Sequence, residues 1–176
     1  RSLARVKPWA VMSAMFSAIL TAFSTAASSA TLPVSMKSLE KNVGVSNNVS
    51  SFVLPLGATV NMNGTALYEC AAAMFIAQAY GLELTFGVQF TIVVVALLTS
   101  IGVAGVPSAS LVAIAIILGV IGLLDEFLAV LMVFDRVSDM CRSKVNSWWA
   151  GVAATIIAML TGENTPAELA YTNQSP

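Results

Sequence analysis

Histidine does not occur in the 176 residues, and cysteine occurs twice. Zinc sites and histidine-dependent triads are thereby close to excluded. Cys70 and Cys141 lie within apolar stretches. Both read as small buried side chains, with no disulfide framework implied. Charge is scarce as well. Asp, Glu, Lys and Arg make up 10% of the chain, against about 25% in an ordinary soluble domain. So few charges cannot cover a soluble surface, and a free globular enzyme is not expected. Eight basic and nine acidic residues give a net charge of -1, so no basic field exists for nucleic acid. What is abundant is hydrophobic side chain, 57% of the chain. That excludes disorder and points to an all-α, multi-pass membrane protein whose immediate surroundings are a lipid bilayer.

The apolar stretches are long but interrupted. Residues 1–8 read as the end of a preceding helix or a linker. From Pro8 to Thr31 the chain carries no charge, and Leu32-Pro33 is expected to stop the helix. The next stretch leads away to Lys37 and Lys41. Basic residues on both flanks place both ends on the cytoplasmic side, so residues 9–43 read as a re-entrant hairpin with a serine-rich tip. A secretory leader is the alternative, given Arg1, Arg5, Lys7 and the small residues Ala26-Ala27-Ser28. Residues 50–82 read as a transmembrane helix broken by PLGATVNMNGT, from Pro55 to Thr65. A kinked structural helix is the competing account. Residues 86–124 read as a second hairpin, its tip in IGVAGVPSAS from Ile101 to Ser110. Residues 127–161 form a final transmembrane helix, and 162–176 a polar, disordered tail. Two Gly/Pro-interrupted segments in corresponding positions are a sequence pointer to a transport site.

Asp135, Asp139, Arg142 and Asn146 stand at offsets 0, 4, 7 and 11. At 3.6 residues per turn they share one helix face. Charges at membrane depth must meet protein, water or a ligand. An internal Asp139–Arg142 pair would satisfy the membrane alone. A substrate reading also accounts for Asn146, the broken helix and the two tips. A guanidinium fork matches a carboxylate, and an aspartate can hold an ammonium. The pair suits an acidic amino acid, with Ser28, Ser29 or Asn146 as neutral donors to its α-carboxylate. Arg136 and Lys144 fall off this face. Lys144 is placed to snorkel and Arg136 to pair with nearby acids.

Four strings, SSATLP at 28–33, PLGATVNMNGTALYE at 55–69, SIGVAGVPSAS at 100–110 and DRVSDMCRSKVN at 135–146, resemble the glutamate transporter family, the dicarboxylate/amino acid:cation symporters. The likeness runs from Arg1 to about Gly162 and covers only the family's C-terminal core. It implies that six preceding helices, most of a scaffold domain, are missing from this chain, and that the full-length protein is a homotrimer in the plasma (inner) membrane. It implies no enzymatic activity. It makes Asp139 the ligand of the substrate amine and Arg142 that of its side-chain carboxylate, with Asn146 and Thr65 as further contacts. Ser29 and the first tip would hold the α-carboxylate, together with backbone around Gly105 and Val106. Ser143 stands where a threonine is common. Members selective for C4 dicarboxylates usually lack the aspartate, and those for neutral amino acids lack the arginine. Having both favours aspartate or glutamate.

Two departures bear on the coupling ion. Sodium-coupled members typically read NMDGT where this chain has Asn63, and carry an aspartate where it has Ala150. Sodium wants oxygen ligands with compensating charge. Only weak sites are then expected, from Gly57, Thr59, Asn61, Asn63, Ser100, Ile101, Val103 and Asp135. Glu69 stands where proton-carrying members have a glutamate. A carboxyl taken out of water favours its neutral form, so Glu69 can load and release a proton. The alternative is a permanently protonated Glu69 bonded to a neighbouring helix. Glu83, Asp125, Glu126, Glu163 and Glu168 read as solvated loop or tail residues. The expectation is cation-coupled secondary transport of acidic amino acids, with protons favoured over sodium, no cofactor, and the second hairpin as gate. The alternatives are a non-transporting module of the same family, a sodium-coupled or C4-dicarboxylate carrier, and an anion channel.

Overall fold

A computed structural model describes residues 7–102, 108–123 and 128–163. Every regular element among them is helical. α1 (Pro8–Ala14) starts with a proline in its first turn, where the missing N–H would have had no partner anyway. α2 (Phe16–Thr25) follows after a 73° bend. Ala26 ends α2 in the left-handed region (φ 52°), its N–H bonded to the Ala22 carbonyl. The chain then makes one 3₁₀ turn, Ser29–Thr31, and enters α3 (Leu32–Ser38). The helix expected to run to Thr31 therefore stops at Thr25. Pro33 does not stop it: it sits in the first turn of α3, which tolerates a residue without an N–H.

A π turn, Leu39–Val43, closes on Gly44 and leads to α4 (Asn47–Val60). Ser46 caps α4, its hydroxyl accepting from the Val49 N–H. The Glu163 carboxylate accepts from both the N–H and the hydroxyl of Ser46. Glu163 is thus fastened to the fold rather than solvated, which corrects the tail reading at that residue. α5 (Asn63–Ala79) follows α4 after a break of only two residues, Asn61 and Met62. The interruption is shorter than Pro55 to Thr65 suggested, because α4 runs through Pro55 and Gly57. Gly57 abuts α8, where an added Cβ would lie 3.0 Å from the Ala150 Cβ. Its smallness serves helix approach, not unwinding. α6 (Phe86–Gly102), α7 (Ser110–Val120) and the 33-residue α8 (Leu128–Leu160) complete the fold.

Two apolar clusters hold these helices together. One joins α1, α2, the π turn and α4 to the C-terminal half of α8, around Met15, Leu39, Leu54 and Ala154. Gly151 makes room for Met15: a Cβ there would collide with the methionine sulfur. The other joins α5, α6 and α7, around Ala73, Ile76, Ile92 and Ile117, with Leu128 and Leu131 of α8 packed against it. No single described helix is long and apolar enough to cross a membrane; α1 and α2 together are, as a bent pair.

Candidate functional site

The middle of α8 carries the buried charges. Asp135, Asp139, Arg142 and Asn146 are all buried, whereas Arg136 and Lys144 are exposed, as the helical period requires. Arg142 Nη2 donates to Asp135 Oδ1 at 3.0 Å and lies 3.0 Å from Asp139 Oδ1. Asp135, expected among the weak sodium ligands, is a partner of the arginine. Arg142 Nε and Nη1 are buried without a partner, as is Asp135 Oδ2. The guanidinium carbon stands 4.0 Å from the centre of the Tyr68 ring, a cation–π arrangement. Tyr68 was absent from the sequence-derived set. Its signal was its position one turn after Thr65 on the same helix.

Around this centre the start of α5, the turn between α2 and α3 and the turn before α7 converge. Asn146 Oδ1 accepts from the Gly64 N–H at 2.8 Å, and Asn146 Nδ2 donates to Thr65 Oγ1 at 2.9 Å. The start of α5 is thereby pinned to α8. Gly64 permits it, since a Cβ there would lie 3.1 Å from the Arg142 carbonyl oxygen. In the turn after α2, Ser28 is buried and its carbonyl accepts from Thr31 Oγ1 at 2.7 Å. Thr31 in turn lies 3.4 Å from the Ser147 hydroxyl. Ser28 and Asn146 line one small void of about 10 Å³, about the size of one water. Ser29 is exposed, and Ser143 is buried. From the turn before α7, the Ser108 N–H donates to Asp139 Oδ2 at 2.8 Å. Ser108 too was missed by sequence reasoning. Val103, Gly105 and Val106 lie outside the described residues. A cleft of 410 Å³ opens beside the centre, with Tyr68, Ser138, Cys141 and Arg142 in its walls. Cys141 is exposed rather than buried, because it falls on the flank of α8 away from Asn146.

Of the remaining sodium candidates, Gly57, Thr59, Asn61, Asn63, Ser100 and Ile101 lie among the described residues. Asn63 is exposed. The Thr59 hydroxyl donates to the Leu56 carbonyl and the Ser100 hydroxyl to that of Leu97. The Gly57 carbonyl accepts from the Asn61 N–H as the last bond of α4, and Ile101 is exposed. Glu69 is fully buried on α5. Its Oε2 accepts from Thr99 Oγ1 of α6 at 2.9 Å, and its Oε1 has no partner.

The model of the sodium:dicarboxylate symporter family matches residues 1–160. The chain is 43% identical over 159 residues to excitatory amino acid transporter 1 of Homo sapiens, covering 90% of this chain and 29% of the relative. It is 45% identical over 150 residues to an excitatory amino acid transporter of Caenorhabditis elegans, covering 85% of this chain and 30% of that one. To the human excitatory amino acid transporter 2 it is 44% identical over 154 residues, covering 85% of this chain and 27% of the relative. The chain therefore spans under a third of the length of these relatives. Their names describe transport, a membrane activity, and not an enzymatic one. The family's description specifies sodium, and none of these names speaks for the proton coupling expected from Glu69. On the match over residues 1–160, the chain belongs to the sodium:dicarboxylate symporter family.

Proposed function

We propose that this chain is the substrate-binding part of a membrane carrier for acidic amino acids, aspartate or glutamate, driven by a coupled cation. The observation that carries the reading is the Arg142 guanidinium. It is buried, faces two carboxylates, and keeps Nε and Nη1 unpaired. An unpaired buried donor on a charged group is costly, and a substrate carboxylate supplies the planar acceptor it lacks. Asp139 next to it offers the anion that an α-ammonium needs. Ser28, Thr65 and Asn146, within the same convergence of tips and broken helix, are the neutral groups for the α-carboxylate. Segments of the full-length protein outside this chain would supply the scaffold against which the site moves, with the second hairpin as gate. The names of the relatives support the substrate class.

For the coupling ion the chain's own residues favour the proton. Glu69 is buried with one oxygen free, and Asn63 and Ala150 supply no carboxylate. The family's description supports sodium instead. Both substrate and ion are tested by uptake of labelled aspartate by the full-length protein in liposomes under ion replacement. Uptake driven by a pH gradient in sodium-free medium is the expected result; strict dependence on sodium rejects the proton and leaves the substrate standing. Arg142→Ala is expected to abolish uptake of acidic substrates while the protein still inserts. Unchanged uptake overturns the site.

A second reading has its own observation. The two 3.0 Å contacts make Asp135, Arg142 and Asp139 an ion triad, and the second reading is that this triad is purely structural. It differs in what Arg142→Ala does: folding and insertion are lost, and no substrate protects the native protein from thermal unfolding.

A further inference from the structure

A cleft of 430 Å³ separates the first hairpin from the flank of α8 that carries Lys144. Lys144 lies two residues along from Arg142, which at 3.6 residues per turn puts it across the helix from the buried charges. The cleft is therefore a different place from the site described above. Met12, Phe16, Leu20 and Phe23 are among its walls, and Ser13 and Lys144 bring its only polar side chains. Phe16 and Leu20 are more than half exposed. Among the described residues, Lys144 has no ion-pair partner.

These features together specify a ligand. The volume lies within the roughly 300–1,000 Å³ of ordinary small-molecule pockets. A long apolar wall excludes a small hydrophilic anion, which would gain nothing from it. A neutral hydrocarbon would leave the lysine unpaired at membrane depth, where a lone charge is disfavoured. A two-chain phospholipid keeps its headgroup at the interface, whereas Lys144 stands midway along α8. We propose that the cleft binds a single-chain anionic amphiphile, an alkyl carboxylate, whose chain lies along the α1–α2 wall and whose carboxylate pairs with Lys144. The proposal rests on the membrane reading above but not on substrate transport.

The test uses the full-length protein in phosphatidylcholine vesicles and a diazirine-bearing palmitate as the probe. Saturable photolabelling of the segment from Met12 to Phe23 is expected. Free palmitate should compete for it, and its methyl ester, which lacks the charge, should not. Lys144→Met should lower labelling by about tenfold, as expected for one lost charge-assisted contact, and Lys144→Arg should retain it. Equal competition by the methyl ester, equal labelling of Lys144→Met, or absence of saturable labelling each overturns the proposal. The last is the outcome if a carboxylate or helix from elsewhere in the full-length protein fills the cleft. The competition arm needs only the unmodified protein, so a variant that fails to fold does not shelter the idea. Labelling needs no uptake: a protein that carries aspartate yet is not labelled refutes the amphiphile site alone, and the converse refutes the transport reading alone.

Discussion

Asp139 Oδ2 accepts the backbone N–H of Ser108 at 2.8 Å, while Oδ1 of the same carboxylate lies 3.0 Å from Arg142. One side chain thus ties the turn before α7 to the charged centre of α8. An ammonium that claims Asp139 competes directly with that tie. In Asp139→Ala the tip loses it, and a cysteine at position 108 should react about tenfold faster with a water-soluble maleimide, given the strength of hydrogen bonds to charged acceptors. Ser108→Cys with and without Asp139→Ala provides the comparison. Equal rates would mean that the tie does not hold the tip.

Asn146 joins α8 to the start of α5 through two bonds, from the Gly64 N–H and to Thr65 Oγ1. Asn146→Ala should cost about 1–3 kcal/mol by leaving a buried donor unpaired. Thermal unfolding in detergent should shift down by several degrees, and half-saturation for aspartate should rise. A variant with unaltered unfolding and uptake would remove Asn146 from the site.

Gly64→Ala should be costly for a different reason. The new methyl group meets the Arg142 carbonyl oxygen at 3.1 Å and Asn146 Oδ1 at 3.2 Å. Neither a helix carbonyl nor a doubly bonded asparagine yields readily. Overpacking of this kind costs about 1–3 kcal/mol. Gly119→Ala is the control, since nothing lies within 4 Å of its added Cβ. Equal unfolding temperatures for the two variants would contradict the close approach of α5 and α8.

Glu69 reaches across to Thr99 and leaves its second oxygen unpaired. If it carries the coupled proton, Glu69→Gln makes aspartate uptake independent of external pH while aspartate exchange continues. Thr99→Val, which removes the one hydroxyl bonded to the carboxylate, should displace the pH midpoint of uptake without abolishing it. A Glu69→Gln protein whose uptake still follows pH would assign the proton elsewhere.

Much of this arrangement was legible in the residues themselves. Offsets of 0, 4, 7 and 11 suffice to put Asp135, Asp139, Arg142 and Asn146 on one face, because a long uninterrupted helix obeys its period. Asn61 and Met62 lie inside the stretch that poor helix formers marked as broken. The extent of the break did not follow from propensity, since Gly57 is spent on contact with Ala150 and α4 tolerates Pro55. The partners also escaped. That Asp135 would hold Arg142, that Tyr68 would stack beneath it, and that Thr99 would meet Glu69 are pairings between faces whose relative rotation no local pattern records. Ala26 is a further case: nothing in STAASSAT distinguishes the alanine that adopts φ 52° from its neighbours.

α8 leaves the ribosome after the other described helices, and its central turns hold two aspartates and an arginine that a lipid tail accommodates only at a cost. On the membrane reading proposed above, the segments made before it offer Asp139 and Asn146 their partners, so damage to an early segment should show itself as failed insertion of the late one.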